Sequence, residues 1–263
     1  MNIQIVIVLF LNFIISIIGT LAYSVRLVGV RTGKIAITYS VFNILTLISR
    51  IAVTFQLPLL TKFVERNTNS NYLLVIFNWI IIVSGIATFV GAFLIPTFQR
   101  IFYLGVLRFS VEKSIPRLIL HSFSKTGVNY MRECIAIPVA TNITKIKYKR
   151  LPIKIIIFNM IAVSLITVGT LSPIYAGSIA PDLRATCITL SSTINGVATV
   201  LMSIFIDPHL SIMTDEVIDG KCSEEDFRSC VIAMVGSKCI GTFVSLLLLV
   251  PLAYLIVFIA KVI

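Results

Sequence analysis

Carboxylates are scarce in this sequence and sit in few places. Eleven Asp and Glu occur in 263 residues, and none lies deep within a long apolar block. A proton or sodium relay built on an intramembrane carboxylate, the usual device of a coupled transporter, therefore has no side chain to use. Histidine occurs only twice, at His121 and His209, which leaves little room for a metal site. Five cysteines (Cys134, Cys187, Cys222, Cys230, Cys239) form no even, closely spaced framework. Cys187 and Cys239 lie in or beside apolar blocks, where a thiol packs as a small hydrophobe. Cys222 and Cys230 with His209 match no zinc spacing. No H-E-x-x-H, P-loop, nucleophile-elbow or paired-carboxylate pattern is present. The sequence thus offers no catalytic residue, no metal ligand set and no cofactor motif.

Charge of either sign is sparse: 13% of residues are charged, 57% are hydrophobic, and the mean hydropathy is +1.02. Soluble domains carry roughly twice that charge. The apolar residues fall in six blocks, approximately Ile3–Tyr23, Ile35–Leu60, Tyr72–Ile95, Ile155–Ala180, Cys187–Ile206 and Val231–Ala260. A bilayer core about 30 Å thick takes roughly 20 apolar residues per helix, and barrel strands would alternate in shorter runs. The expected fold is all-α, a polytopic membrane protein of about six transmembrane helices. The first block has no basic residue before it and is interrupted by Asn12 and Gly19, so it reads as an uncleaved span rather than a signal peptide.

Basic residues set the expected orientation. The first, third and fifth loops hold three, eleven and two Lys/Arg, against four on the opposite side (Lys62, Arg66, Arg184, Lys261). The positive-inside rule places the long third loop in the cytoplasm and both termini outside. The whole chain, 1–263, reads as one integral membrane domain: a three-span half over 1–95, a basic segment over 96–154 and a second three-span half over 155–263. In the middle segment Phe98, Ile101, Phe102, Val106 and Phe109 alternate with Arg100, Arg108 and Lys113, as in an interfacial amphipathic helix. Pro116 and Pro138 punctuate it, and Lys145-Ile-Lys-Tyr-Lys-Arg150 reads as a cytoplasmic anchor. The net charge of +11 sits mostly at the membrane face and needs no nucleic acid to explain it. The fifth loop holds seven of the eleven acids. Its Ser223-Glu-Glu-Asp226 has the form of an N-cap and acidic first turn, so the last helix should begin there.

Gly19-Thr20-Leu21 recurs as Gly169-Thr170-Leu171, and Pro58 as Pro208 at the same offset. Two three-span repeats of inverted topology, as in many transporters, would produce this. Chance matching of apolar sequence explains it equally well.

Arg50 stands within the second block, where a cation costs about 2.5–3.5 kcal/mol to insert. It should face a polar cavity, as a bidentate phosphate ligand; bonding to helix carbonyls or snorkelling outward is the other account. Arg26, Arg31 and Lys34 cluster between the first two spans. They could capture a diphosphate, with Gly29 and Gly33 letting backbone N–H groups approach, or serve only as a positive-inside anchor. Arg184 could receive an anion at the outer face unless Asp182 neutralises it. Asn43, Gln56, Asn78, Asn159 and Asn195 lie within spans, where interhelical bonding is the usual role. Asn195-Gly196, with Ser191, Ser192, Thr193 and Thr199 nearby, would also suit a wall that meets sugar hydroxyls.

The chain resembles the Amj family of lipid II flippases, the alternates to MurJ in bacterial cell-wall synthesis. The resemblance is carried by Thr20-Leu-Ala-Tyr-Ser-Val-Arg26, Gly29-Val-Arg-Thr-Gly33, Phe42-Asn-Ile-Leu45, Ser49-Arg50, Tyr175-Ala-Gly177, Asn195-Gly196, Asp207-Pro208, Leu210-Ser-Ile-Met-Thr-Asp215, Glu225-Asp-Phe-Arg228 and Met234-Val-Gly-Ser237. It implies a bacterial cell membrane location, lipid II and membrane lipids as partners, and no chemical transformation. Family members often carry an acid where Gly19 stands here, so an acid-dependent step in the first span is in doubt. On this reading Arg26, Arg31 and Lys34 recruit the headgroup, Arg50 holds the diphosphate midway, and Arg184 with Asn195 lies on the way out. A non-transporting membrane adaptor, a transporter of another anionic amphiphile and a membrane-embedded lipid enzyme are the competing readings.

Overall fold

The computed structural model of the chain describes residues 3–67, 69–112, 131–136 and 152–263. Every regular element among them is helical, and six stretches are long and apolar enough to cross a membrane. Four continuous spans come first: α1 (Ile3–Thr32), α2 (Ile35–Arg66), α3 (Ser70–Glu112) and α4 (Ile153–Ile179). The fifth span is broken. A 3₁₀ turn (Pro181–Leu183) leads into α5 (Arg184–Thr189) and α6 (Ser191–Leu201). A π turn (Met202–Ile206) then precedes α7 (Asp207–Ile218). Pro208 stands just past that π turn; it has no N–H to give to the preceding turn, and α geometry is hardest to sustain there. The sixth span, α8 (Glu224–Val262), starts where expected, with the Ser223 hydroxyl accepting from the Asp226 N–H at 3.1 Å.

α1 and α3 run well past their apolar blocks. α1 continues from Tyr23 to Thr32, because no proline interrupts it and Val25 and Val28 are buried. The first loop shrinks to Gly33-Lys34. Gly33 adopts φ 65° and donates to the Val30 carbonyl at 3.3 Å, which ends α1 and turns the chain into α2. The phosphate-cradling loop expected around Gly29 and Gly33 is absent, since Gly29 is helical and packs beside Ile35 and Thr38. α3 likewise passes through Pro96, so the pattern Phe98–Phe109 is its last turns and not a separate interfacial helix. Those turns bury apolar side chains against protein: Phe102 and Val106 lie on Val25 and Val28. Residues 131–136 dock on the same helix, the Thr97 hydroxyl bonding both the N–H and the C=O of Ala136 at 3.0 Å. Lys113, Pro116, Pro138 and the run Lys145–Arg150 lie outside the described residues.

α1 packs along α2 and α3, and α4 packs along α8 and α6; α3 and α8 join the two groups. At one end, marked by Gly33-Lys34 and here termed the hairpin end, buried side chains form two separate clusters. At the other, far end, one cluster draws on α1, α2, α3, α4, α5 and α8, with Leu73, Phe77, Ile80, Ile174 and Leu249 at its centre. Polar side chains stitch helices between these clusters. Asn12 donates to the Ile80 carbonyl at 3.0 Å and to the Ser84 hydroxyl, and accepts from Gln56 at 3.3 Å. Asn159 donates to the Met234 carbonyl (3.0 Å) and Ser237 (2.7 Å) and accepts from Tyr23 at 2.7 Å. Gln56 and Asn159 thus bond between helices, as polar residues in spans usually do.

Candidate functional site

A cavity of about 410 Å³ is walled by all six spans. Its far limit is the Asn12–Gln56–Ser84 group; its hairpin end is bounded by Arg26, Tyr39 and Asp207. Between them the wall carries an unusual density of hydroxyls for an apolar bundle, among them Thr88, Thr167, Thr170 and Thr242. Thr88, Thr167 and Thr242 give their protons to carbonyls one turn back, at 2.8, 2.8 and 2.9 Å. Their lone pairs remain available to accept from a visiting hydroxyl. The surrounding apolar side chains exclude nothing polar that enters, but they keep the local dielectric low, which strengthens any charge contact made inside.

Arg26 is the one sequence-derived site residue in this wall. Its Nη2 pairs with Asp207 Oδ1 at 2.8 Å, its Nη1 donates to Ser211 at 3.0 Å and to the Asp207 carbonyl at 3.3 Å, and its guanidinium lies 5.6 Å from the Tyr39 ring centre. One side chain on α1 therefore holds the start of α7 and faces α2. The Arg26 side chain is 13% exposed and that of Asp207 57%, so water reaches the pair from the carboxylate side.

The other expected residues stand elsewhere. Arg31 lies outside the cavity, its Nε 2.7 Å from Glu224 Oε1 and its Nη1 3.4 Å from Gln99. Lys34 occupies the N-cap position of α2. Arg50 does not line the cavity. It is exposed on the outward face of α2, beside Leu47, Ile48 and Ile51, which are exposed too. Ser49 and Val53 of the same helix face inward; Arg50 is one position, about 100°, round from Ser49. Its side chain thus lies on the face turned away from the cavity. Arg184 donates to the Gly177 carbonyl at 3.1 Å at the far end. Asn195 is spent on packing: its carboxamide fills the space that a Cβ on Gly169 would need, drawing α6 onto α4.

The intramembrane cation that does enter the cavity is Lys238, on α8. Its Nζ lies 3.4 Å from the Ser16 carbonyl and 5.8 Å from the centre of the Tyr23 ring. Lys238 is a second lone cation within an apolar block, Val231–Ala260, and was missed in favour of Arg50. The distinguishing signal is on another helix: a Cβ on Gly19 would come within 2.9 Å of the Lys238 Nζ. Asp207 and Tyr39, which frame the hairpin end, were equally hidden, the first at the edge of a block and the second inside one.

Comparison with known proteins now settles the family. A family model described as Amj, Alternate to MurJ, matches residues 11–260, which takes in every cavity-lining side chain named above. This chain belongs to the Amj family. A curated Amj relative, described as "Lipid II flippase Amj" of Bacillus subtilis (strain 168), is 32% identical over 248 residues, covering 93% of this chain and 92% of that protein. No solved structure matches the chain. Gly19 is the position facing the Lys238 Nζ, and among the described residues no carboxylate pairs with that side chain. Among the described residues, no group of three His, Cys, Asp or Glu side chains is placed to hold a metal ion.

Proposed function

We propose that this chain is a lipid II flippase, and that the central cavity is the route by which the headgroup crosses the membrane. The observation that carries the reading is a hydroxyl-lined, cation-bearing cavity enclosed by six spans whose outward faces are apolar. Lipid II is an undecaprenyl chain joined through a diphosphate to a disaccharide-pentapeptide. Its tail can stay in lipid, while its diphosphate and sugars need a polar passage that excludes the bilayer core. The relative's described activity and the length of the match support this substrate.

The hairpin end is the cytoplasmic end, with both termini outside, on the charge bias of the loops. The cavity then reaches toward the cytoplasm and is sealed from the outside by the far-end cluster, an inward-directed state of an alternating-access cycle. Arg31 and Lys34 lie at its mouth, where a headgroup first arrives, and Arg26 exchanges Asp207 for the diphosphate on entry. The two three-span groups, α1 with α2 and α3, α4 with the fifth span and α8, are inverted halves. The corresponding packing, α1 along α2 and α3 and α4 along α6 and α8, supports this.

The test is leaflet-specific: in bacteria depleted of every other flippase, lipid II accessible at the outer surface is measured with and without this chain. Lipid II confined to the inner leaflet when the chain is removed is the expected result. Unchanged outer-leaflet lipid II alongside failed recruitment of cell-wall proteins would overturn the reading in favour of an adaptor.

A further inference from the structure

We infer that Lys238 is the mid-membrane contact for the diphosphate, and that Gly19 is a glycine in order to leave that ammonium open to it; this rests on the flippase reading. An ammonium has three donors. In this structure one carbonyl, that of Ser16, approaches at 3.4 Å, and the Tyr23 ring at 5.8 Å provides a weak cation–π contact. Among the described residues no carboxylate pairs with Lys238, while Arg26 is held by Asp207, Ser211 and Tyr39 and Arg31 by Glu224. A cation inside a span is retained where it has work to do, because a methionine or leucine of similar volume would pack there without desolvating a charge.

The position of Lys238 is what a passing anion requires. Ser16 and Gly19, against which its Nζ lies, are seven to ten residues before Arg26 on α1. At 1.5 Å per residue that is a step of about 10–15 Å from the cavity mouth toward the bilayer centre. The two cations thus form a relay. Arg26 meets the diphosphate at the hairpin end in exchange for Asp207, and Lys238 takes it deeper without having to release a competing acid. The hydroxyl of Thr242, one turn along α8 from Lys238, and those of Thr167 and Thr170 on α4 line the same stretch of wall. They suit the first sugar attached to that diphosphate. A side chain at position 19 would close the gap: Ala would press on the Nζ, and Asp would occupy it with a fixed counter-ion.

The full-length protein in lipid nanodiscs tests this directly. A membrane-permeant amine-reactive reagent is applied, and acylation of Lys238 is read by peptide mass spectrometry. Lipid II and undecaprenyl diphosphate should each protect Lys238 several-fold, and undecaprenol, which has the tail without the charge, should not. Equal labelling with all three, or protection by undecaprenol, overturns the inference. In proteoliposomes, Lys238→Gln should slow lipid II translocation about tenfold or more while Lys238→Arg retains most of it. Wild-type rates in Lys238→Gln would also overturn it. Failure of the wild-type protein to translocate lipid II would instead remove the flippase reading, and undecaprenyl diphosphate protection would still report on the anion site.

Discussion

The two ends of the cavity are closed by different chemistry. At the far end one continuous cluster joins five of the spans and α5, and Phe77, Leu73, Ile80, Ile174 and Leu249 within it are wholly buried. At the hairpin end the buried side chains divide into two clusters: one around Phe227 and Met234 of α8, the other around Val106 of α3. α1 contributes to both, through Leu27 and through Val25 and Val28, and ion pairs bridge to α7 and the start of α8. In lipid, apolar contact is not driven by expulsion of water, so a seal of this kind holds by close packing and loosens only if its helices separate. An ion pair can be released by exchanging partners, and an anionic substrate brings the partner. The hairpin end is therefore latched by charge, and the far end is closed by packing.

This contrast can be broken from its strongest side first. Phe77→Ala removes the ring that meets Tyr175 edge-on at 5.8 Å. It should lower stability in detergent by about 3 kcal/mol, the lower end of the range for large aromatic truncations, since only contacts are lost and no water is displaced. A thermal midpoint indistinguishable from wild type would mean that the far end is not the packed one. Next in size is Asn159→Leu, which leaves the Tyr23 hydroxyl and the Ser237 hydroxyl without their shared partner. A loss of about 1–2 kcal/mol is expected, again by thermal unfolding.

Asp207→Asn sharpens the comparison rather than breaking it. Because the carboxylate is more than half exposed, the change in global stability should stay under about 1 kcal/mol. Hydrogen exchange should nevertheless quicken in α7 and in the last turns of α1, with the far end unaffected; equal loosening at both ends would remove the distinction. The smallest effect belongs to Arg50→Ala. With its side chain outside the cavity, translocation at equal membrane abundance should remain within about twofold of wild type.

The spans were readable from sequence because bilayer thickness imposes a length that any apolar run either meets or misses. Their ends were less so. Hydropathy marks where lipid stops, but α1 and α3 continue beyond it since their next turns bury Val25, Val28, Phe102 and Val106 on each other. The interior was harder still. Arg50 and Lys238 are both lone cations in apolar surroundings, and which one faces inward depends on the rotation of each helix against its neighbours. Gly19 decides it for Lys238, yet Gly19 and Lys238 are 219 positions apart in the sequence. Arg26, which lines the cavity, belonged to a cluster visible in the sequence, whereas its two companions sit outside the cavity.

The wide turn at Met202–Ile206 has a consequence for motion. It holds one more residue than an α turn would, immediately before the aspartate that grips Arg26. Tightening it by that residue would swing everything downstream through about 100°. Asp207 would be carried round the helix axis and Arg26 set free, with no helix needing to unfold. A single surplus residue in the fifth span thus gives the latch a way to turn like a key.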